Sequence, residues 1–129
     1  MMKEYQVVLI DKNLKKEGQI LDSSVWEQAN CLTDFSSPWK KESISKIEFR
    51  AVWDFENLYF KFKVFDSDIY IDEKDDSVES IGNSDRVELF FRQNNSLDPY
   101  YCLEMDTSIR LMDFEARPGK VLDFDWRWP

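Results

Sequence analysis

The sequence predicts an all-β fold, an antiparallel and jelly-roll-like β-sandwich with a short N-terminal helical turn, as a single domain over residues 1–129. Three observations predict it. Apolar residues recur at every second position in several short stretches, the period of a strand with one buried face. Polar segments with turn-forming residues separate those stretches. Aromatic residues make up 16% of the chain while helical periodicity is scarce, so sheets have to supply the core.

The elements follow in order. "YQVVLI", from Tyr5 to Ile10, reads as a first strand, and "DKNLKKEGQI" as a polar connection with a turn at Gly18. In "LDSSVWEQANCL", Ser24 stands three residues before Glu27, the spacing of a capping box, so a short helical turn is expected with Trp26 as its plug into the core. "TDFSSPWKKES" is loop, stopped at Pro38. The hairpin signal is clearest in "SKIEFRAVWDFENLYFKFKVFDSD". Ile47, Phe49, Ala51 and Trp53 alternate with Glu48, Arg50 and Val52, and then Leu58, Phe60, Phe62 and Val64 alternate with Tyr59, Lys61, Lys63 and Phe65. Asp54 to Asn57 supplies the turn between them.

Asp66 to Asp85 reads as an acidic loop of low strand propensity. In the strand after it, Val87, Leu89 and Phe91 share one face and Arg86, Glu88, Phe90 and Arg92 the other. Tyr101, Leu103 and Met105 repeat the first set, with Tyr100, Cys102, Glu104 and Asp106 opposite. The apolar set is the expected core face, and the mixed set the face left to meet solvent or ligand. A last alternation, Met112, Phe114 and Ala116, ends at Pro118 and Gly119.

Composition excludes several functions. The formal net charge is -9, which opposes a phosphate backbone as partner, so no nucleic acid is expected. No window approaches the roughly 18 unbroken apolar residues of a membrane helix, and no membrane partner is expected. The apolar run "VVLI" is too short for a secretion signal and is followed by Asp11 and Lys12, so a cytoplasmic location is the expectation. Cys31 and Cys102 lack metal or redox spacing and are expected as buried free thiols. Histidine is absent, which removes histidine-based nucleophile systems, zinc ligation and general bases; chemistry would rest on carboxylates, lysine or tyrosine.

Glu88 and Glu104 are the candidate carboxylates. Facing each other on neighbouring strands they could bind the hydroxyls of a diol, or serve as the acid and the base or nucleophile of a glycosidase. The alternative is cross-strand charge pairing with Arg86, Arg92, Arg50, Lys61 and Lys63, all expected on the same face. Arg86 and Tyr100 share the Glu88 face and complete a candidate ligand site. Trp39, beside Pro38, and the terminal pair Trp126 and Trp128 are candidates for exposed indoles, whose faces stack on the apolar face of a sugar ring. Asp66, Asp68, Asp72, Asp75 and Asp76 offer hard oxygens without EF-hand spacing, and a solvated acidic loop is the alternative to a calcium site. Asp66 and Asp68 are the metal candidates; no cofactor is required, and calcium is a candidate structural ion.

"VWEQA" (25–29), "FRAVWDFENLYFKFKVFD" (49–66), "SDRVELFF" (84–91) and "LDPYYCLEMDTSIRLMDFEA" (97–116) together resemble the family 9 carbohydrate-binding modules and their endoxylanase-related, family-9-like relatives. The resemblance implies a β-sandwich that binds plant-type glycans such as cellulose or xylan fragments without catalysis, often with structural calcium, and often in extracellular proteins. It puts the family's hydroxyl-binding glutamate on Glu88 and an acidic strand-end residue on Asp66. Two positions depart from the pattern: Gly82 stands where the family has a sugar-sandwiching tryptophan, and Glu104 where it has an assisting arginine. The family also continues into strands beyond "DWRWP", so an open sheet edge is expected, with either self-association to cover it or a native gene product that is longer. The functional expectation is a non-catalytic glycan-binding module. The alternatives are a protein-interaction sandwich without the sugar site and a carboxylate glycosidase.

Overall fold

In a computed structural model the described residues are 3–11, 21–39 and 44–129. The connection with its turn at Gly18 lies outside them. The protein is all-β: seven strands form two sheets, with two short helices, among the described residues. Two compact units divide the chain, residues 1–67 and 68–129, each holding one sheet.

In the first unit β1 (Val8–Leu9), α1 (Ser23–Glu27), β2 (Ile47–Trp53) and β3 (Leu58–Val64) build a sheet in the order β1-β2-β3. The hairpin forms as expected, with Trp53 opposite Leu58 and Ile47 opposite Val64. Its turn is held by Asp54, a buried carboxylate that accepts from the Glu56 and Asn57 amides at 2.8 and 2.7 Å and from the Tyr59 hydroxyl at 2.9 Å. The first strand is shorter than its apolar run suggests and pairs parallel, not antiparallel, with β2. A parallel pair needs a crossover, and α1 lies in it. The cap of α1 is Asp22, not Ser24: its Oδ1 accepts from the Ser24 and Val25 amides at 2.9 and 3.2 Å. Val25 and Ala29 pack on Val52 with Ile10 and Leu21, and half-buried Trp26 lies against the same cluster. The Tyr5 hydroxyl donates to the Asn30 carbonyl at 2.6 Å and accepts from the Ala51 amide at 2.9 Å, tying the chain start to β2.

In the second unit α2 (Val78–Asn83), β4 (Arg86–Phe91), β5 (Tyr100–Asp106), β6 (Leu111–Arg117) and β7 (Val121–Asp123) give an antiparallel sheet in the order β4-β5-β6-β7. The acidic loop contains α2, which sequence reading passed over; Ser77 caps it by accepting from the Ser80 amide at 3.2 Å. Ile81 of α2 packs with Cys102, Met112, Phe114 and Ala116, and Phe124 closes on Phe114 with ring centroids 5.0 Å apart.

Along β5 the expected faces exchange roles: Cys102, Glu104 and Asp106 of the mixed face are buried, whereas Leu103 of the apolar face, like Val87 and Leu89 on β4, is half-buried. In the first sheet the division is not clean, for Val52 of the mixed face and Ala51 of the apolar face are both buried, while Lys61 and Lys63 are exposed. Each helix lies on the mixed side of its own sheet, α1 packing on Val52 and α2 on Cys102.

Arg110 holds the second unit together. Its Nε donates to Asp106 at 2.8 Å; Nη1 donates to the Asp75 carbonyl and, at 3.1 Å, to the Ser80 hydroxyl; Nη2 donates to the Asp72 carbonyl at 2.9 Å and the Ser84 hydroxyl at 3.0 Å. A guanidinium has five N–H donors, and all of them are used. The Asp106 side chain is fully buried and also accepts from the Ser108 and Arg110 amides at 2.9 and 3.1 Å. Burial alone would raise its pKa, but the Arg110 amide and guanidinium outweigh it and hold Asp106 below the ordinary aspartate value.

Arg110→Met leaves Asp106 buried and unpaired and is expected to cost about 3–5 kcal/mol in urea unfolding. Arg110→Lys should recover little of this, because an ammonium cannot reach five acceptors in a plane. A loss under about 1 kcal/mol, the scale of an exposed pair, would mean that the network is dispensable. Because the folded pKa of Asp106 is depressed, its contribution is present above the unfolded value near about 3.9 and is lost as pH falls below it. Asp106→Asn should therefore flatten the acid limb of the stability profile.

Candidate functional site

Register builds the site. Antiparallel pairing of β4 with β5 sets Glu88 opposite Glu104, Arg86 opposite Asp106 and Phe90 opposite Cys102 on one face. Two carboxylates directly across from each other repel. Arg86 resolves this by donating through Nε to Glu104 and through Nη2 to Glu88 at 3.1 Å, while Nη1 donates to the Gly82 carbonyl at 2.7 Å and the Ser84 carbonyl at 3.3 Å. One guanidinium thus bridges the pair, offsets one of its two charges and anchors it to the end of α2.

The two glutamates have different environments. Glu104 is only 5% exposed, held by Arg86, and its second oxygen accepts from the Cys102 thiol at 3.6 Å. The Glu88 side chain is 34% exposed and has an oxygen open to further donors. Burial, reinforced by the Glu104 charge and opposed by Arg86, raises the Glu88 pKa above the ordinary glutamate value. The Arg86 pKa rises as well: burial opposes the cation, but the hydrogen bond and charge of Glu104 outweigh it. Cys102 is fully buried, and desolvation together with the Glu104 charge pushes its thiol up to about 12.

Of the expected site residues, Arg86, Glu88 and Glu104 meet in one hydrogen-bonded group. Tyr100 lies on the same sheet face with its ring 6.3 Å from that of Phe90. Trp39 belongs to the first unit and is 91% exposed. The charge partners expected from the hairpin belong to the first sheet, where Arg50 lies opposite Lys61 and Glu48 opposite Lys63. Arg50, Lys61, Lys63 and Glu48 instead line a cleft of about 220 Å³ beside Trp26, with the Lys61 ammonium 5.9 Å from the indole. Trp26 walls this cleft as well as plugging the core. Trp126 is half-buried against Tyr101, with centroids 4.9 Å apart, while Trp128 stays 47% exposed beside Phe91 at 5.1 Å.

Asp66 and Asp68 are both exposed, and one falls in each unit. Among the described residues no group of three or more His, Cys, Asp or Glu side chains is placed to hold a metal ion.

The arrangement can accept hydrogen bonds at a carboxylate whose orientation is set by a half-buried ion pair, beside two aromatic rings. Sequence reading missed Phe90, 61% exposed on the Glu88 face, and Arg110; the alternation that put Phe90 beside Glu88 was the available signal for the first. Compared with protein-family models, residues 17–117 match the carbohydrate family 9 binding domain-like family. No curated protein and no solved structure matches the chain.

The thiols offer a direct check on this burial. Cys31, expected to be buried, is exposed, whereas Cys102 is enclosed. In the folded protein near about pH 8 a thiol reagent should modify Cys31 rapidly and reach Cys102 only after unfolding. Rapid modification of both would show that the Glu104 environment opens to solvent.

Proposed function

The chain belongs to the carbohydrate family 9 binding domain-like family, its general function is carbohydrate binding, and from this premise we propose a non-catalytic module for plant-type polysaccharide fragments such as xylan or cellulose. One observation carries the reading: Glu88 is a half-exposed carboxylate fixed by Arg86 on a face that also bears Tyr100 and Phe90. In this reading Glu88 accepts hydrogen bonds from sugar hydroxyls and Tyr100 packs against the ring. Arg86 and Glu104 position Glu88, because Glu104 is buried behind it. Trp39, 91% exposed on the first unit, offers an indole face for stacking. The burial of Glu104 also supports binding over hydrolysis, since a glycosidase needs both carboxylates at the scissile bond. Hydroxyls left partly in water keep the affinity modest.

The protein-interaction reading draws on the same ion pair. If the Arg86 and Glu88 charges serve each other alone, Glu88 is not free to recognise a sugar hydroxyl. The two readings separate in a titration with xylo- and cello-oligosaccharides followed by tryptophan fluorescence, together with size-exclusion chromatography. Saturable binding that Glu88→Ala weakens by tenfold or more, about 1.4 kcal/mol, is the expected result. A folded protein that binds none of the sugars and elutes as a defined oligomer favours the interaction reading. Product release that Glu88→Gln abolishes would make the protein a glycosidase instead.

The proposal has a pH signature. A ligand that needs the Glu88 carboxylate binds less well as pH falls through the Glu88 pKa, and burial has raised that value. Affinity should thus begin to fall at higher pH than for an ordinary exposed glutamate. An affinity unchanged down to about pH 4, near the ordinary glutamate value, would remove Glu88 from the site.

A further inference from the structure

At the far end of the Glu88 face lies a cleft of about 570 Å³ walled by Phe90, Arg92, Leu97, Tyr100, Arg117 and Lys120. Phe90 and Leu97 expose 61% and 50% of their surface there, and the Phe90 and Tyr100 rings incline to each other at 47°. Three cations meet at this cleft in a chain whose 26 acidic residues outnumber its 17 basic ones. Arg117 is engaged by Asp98 and, at 3.5 Å, by Glu115. Arg92 and Lys120 form no ion pair among the described residues, so their charge faces the cleft uncompensated. Lys120 also has φ 60 at the tip of the β6–β7 hairpin, after Gly119 at φ 84. That region favours glycine, and a lysine held there is a local backbone cost.

We propose that this cleft is a subsite for an acidic sugar, a uronic-acid unit of a glycan, with its ring on Phe90 and Tyr100 and its carboxylate between Arg92 and Lys120. The proposal rests on the glycan-binding reading and names the ligand class of that same face. Successive side chains on one strand face stand about 7 Å apart, and Glu88, Phe90 and Arg92 follow each other in this way, so one oligosaccharide can reach both Glu88 and the cleft. Aromatic rings supply contact area without charge preference, and the two free cations supply the preference for an acid.

Calorimetric titration tests this with a xylo-oligosaccharide bearing one glucuronic-acid branch and with its unbranched counterpart, at low and high salt. The proteins are the native chain, Lys120→Gly, and Lys120→Gly combined with Arg92→Gln. Glycine adopts a positive φ freely, so Lys120→Gly removes the charge without threatening the fold, which a thermal melt verifies. The native protein is expected to prefer the acidic ligand by about tenfold at low salt, the scale of a hydrogen bond to a charged group. The preference should shrink at high salt and fall below about twofold in the double variant. Equal saturable binding of both ligands by the native protein, or a preference that survives the double variant, overturns the acidic subsite and leaves the glycan reading standing. Binding of neither ligand by the folded protein overturns both.

Discussion

The second unit depends on satisfying buried cations. Arg110 is almost wholly enclosed, and an enclosed guanidinium is tolerable only when its donors are matched. Here the matching acceptors come from Asp106 at the end of β5, from the carbonyls of Asp72 and Asp75, and from Ser80 and Ser84 at α2. These segments lie far apart in sequence and have little periodicity of their own. A single planar group with fixed donor directions brings them to one point, and it thereby sets where α2 ends.

The candidate site depends on that placement. Arg86 uses the carbonyls of Gly82 and Ser84, the last turn of α2 and its cap, as the fixed side of its own network, and turns its remaining donors to Glu88 and Glu104. The site carboxylate is thus held at second hand by Arg110, through α2 and Arg86. Such rigidity suits a binding module, because a carboxylate already oriented loses little freedom when a ligand arrives. It also divides two identical residue types: Glu104 is spent inside the fold, and Glu88 keeps an oxygen at the surface.

Much of this was legible in the residues. Alternation from Ile47 to Val64 located the β2–β3 hairpin and its turn, because a strand that buries one face repeats every two residues and Asp54 to Asn57 has turn chemistry. The same rule put Arg86, Glu88, Glu104 and Tyr100 on one face, which register then confirmed. The N-terminal run was overread as a long strand with antiparallel pairing, since an apolar stretch has no direction in it. Helix α2 was overlooked because its short run of mixed residues has too few turns to show a period.

By itself, then, the sequence determined the all-β class, the hairpin, the membership of each strand face and the absence of histidine chemistry, all of which follow from local periodicity and composition. Only the tertiary structure decided which face is covered. Alternation divides a strand into two sides, but the side that a helix lands on depends on where the connecting chain carries it, and in both units that was the mixed side. The separation of Glu88 from Glu104 was decided in the same way. Burial and the choice of an ion-pair partner are properties of residues brought together from distant parts of the chain, and no local pattern records them.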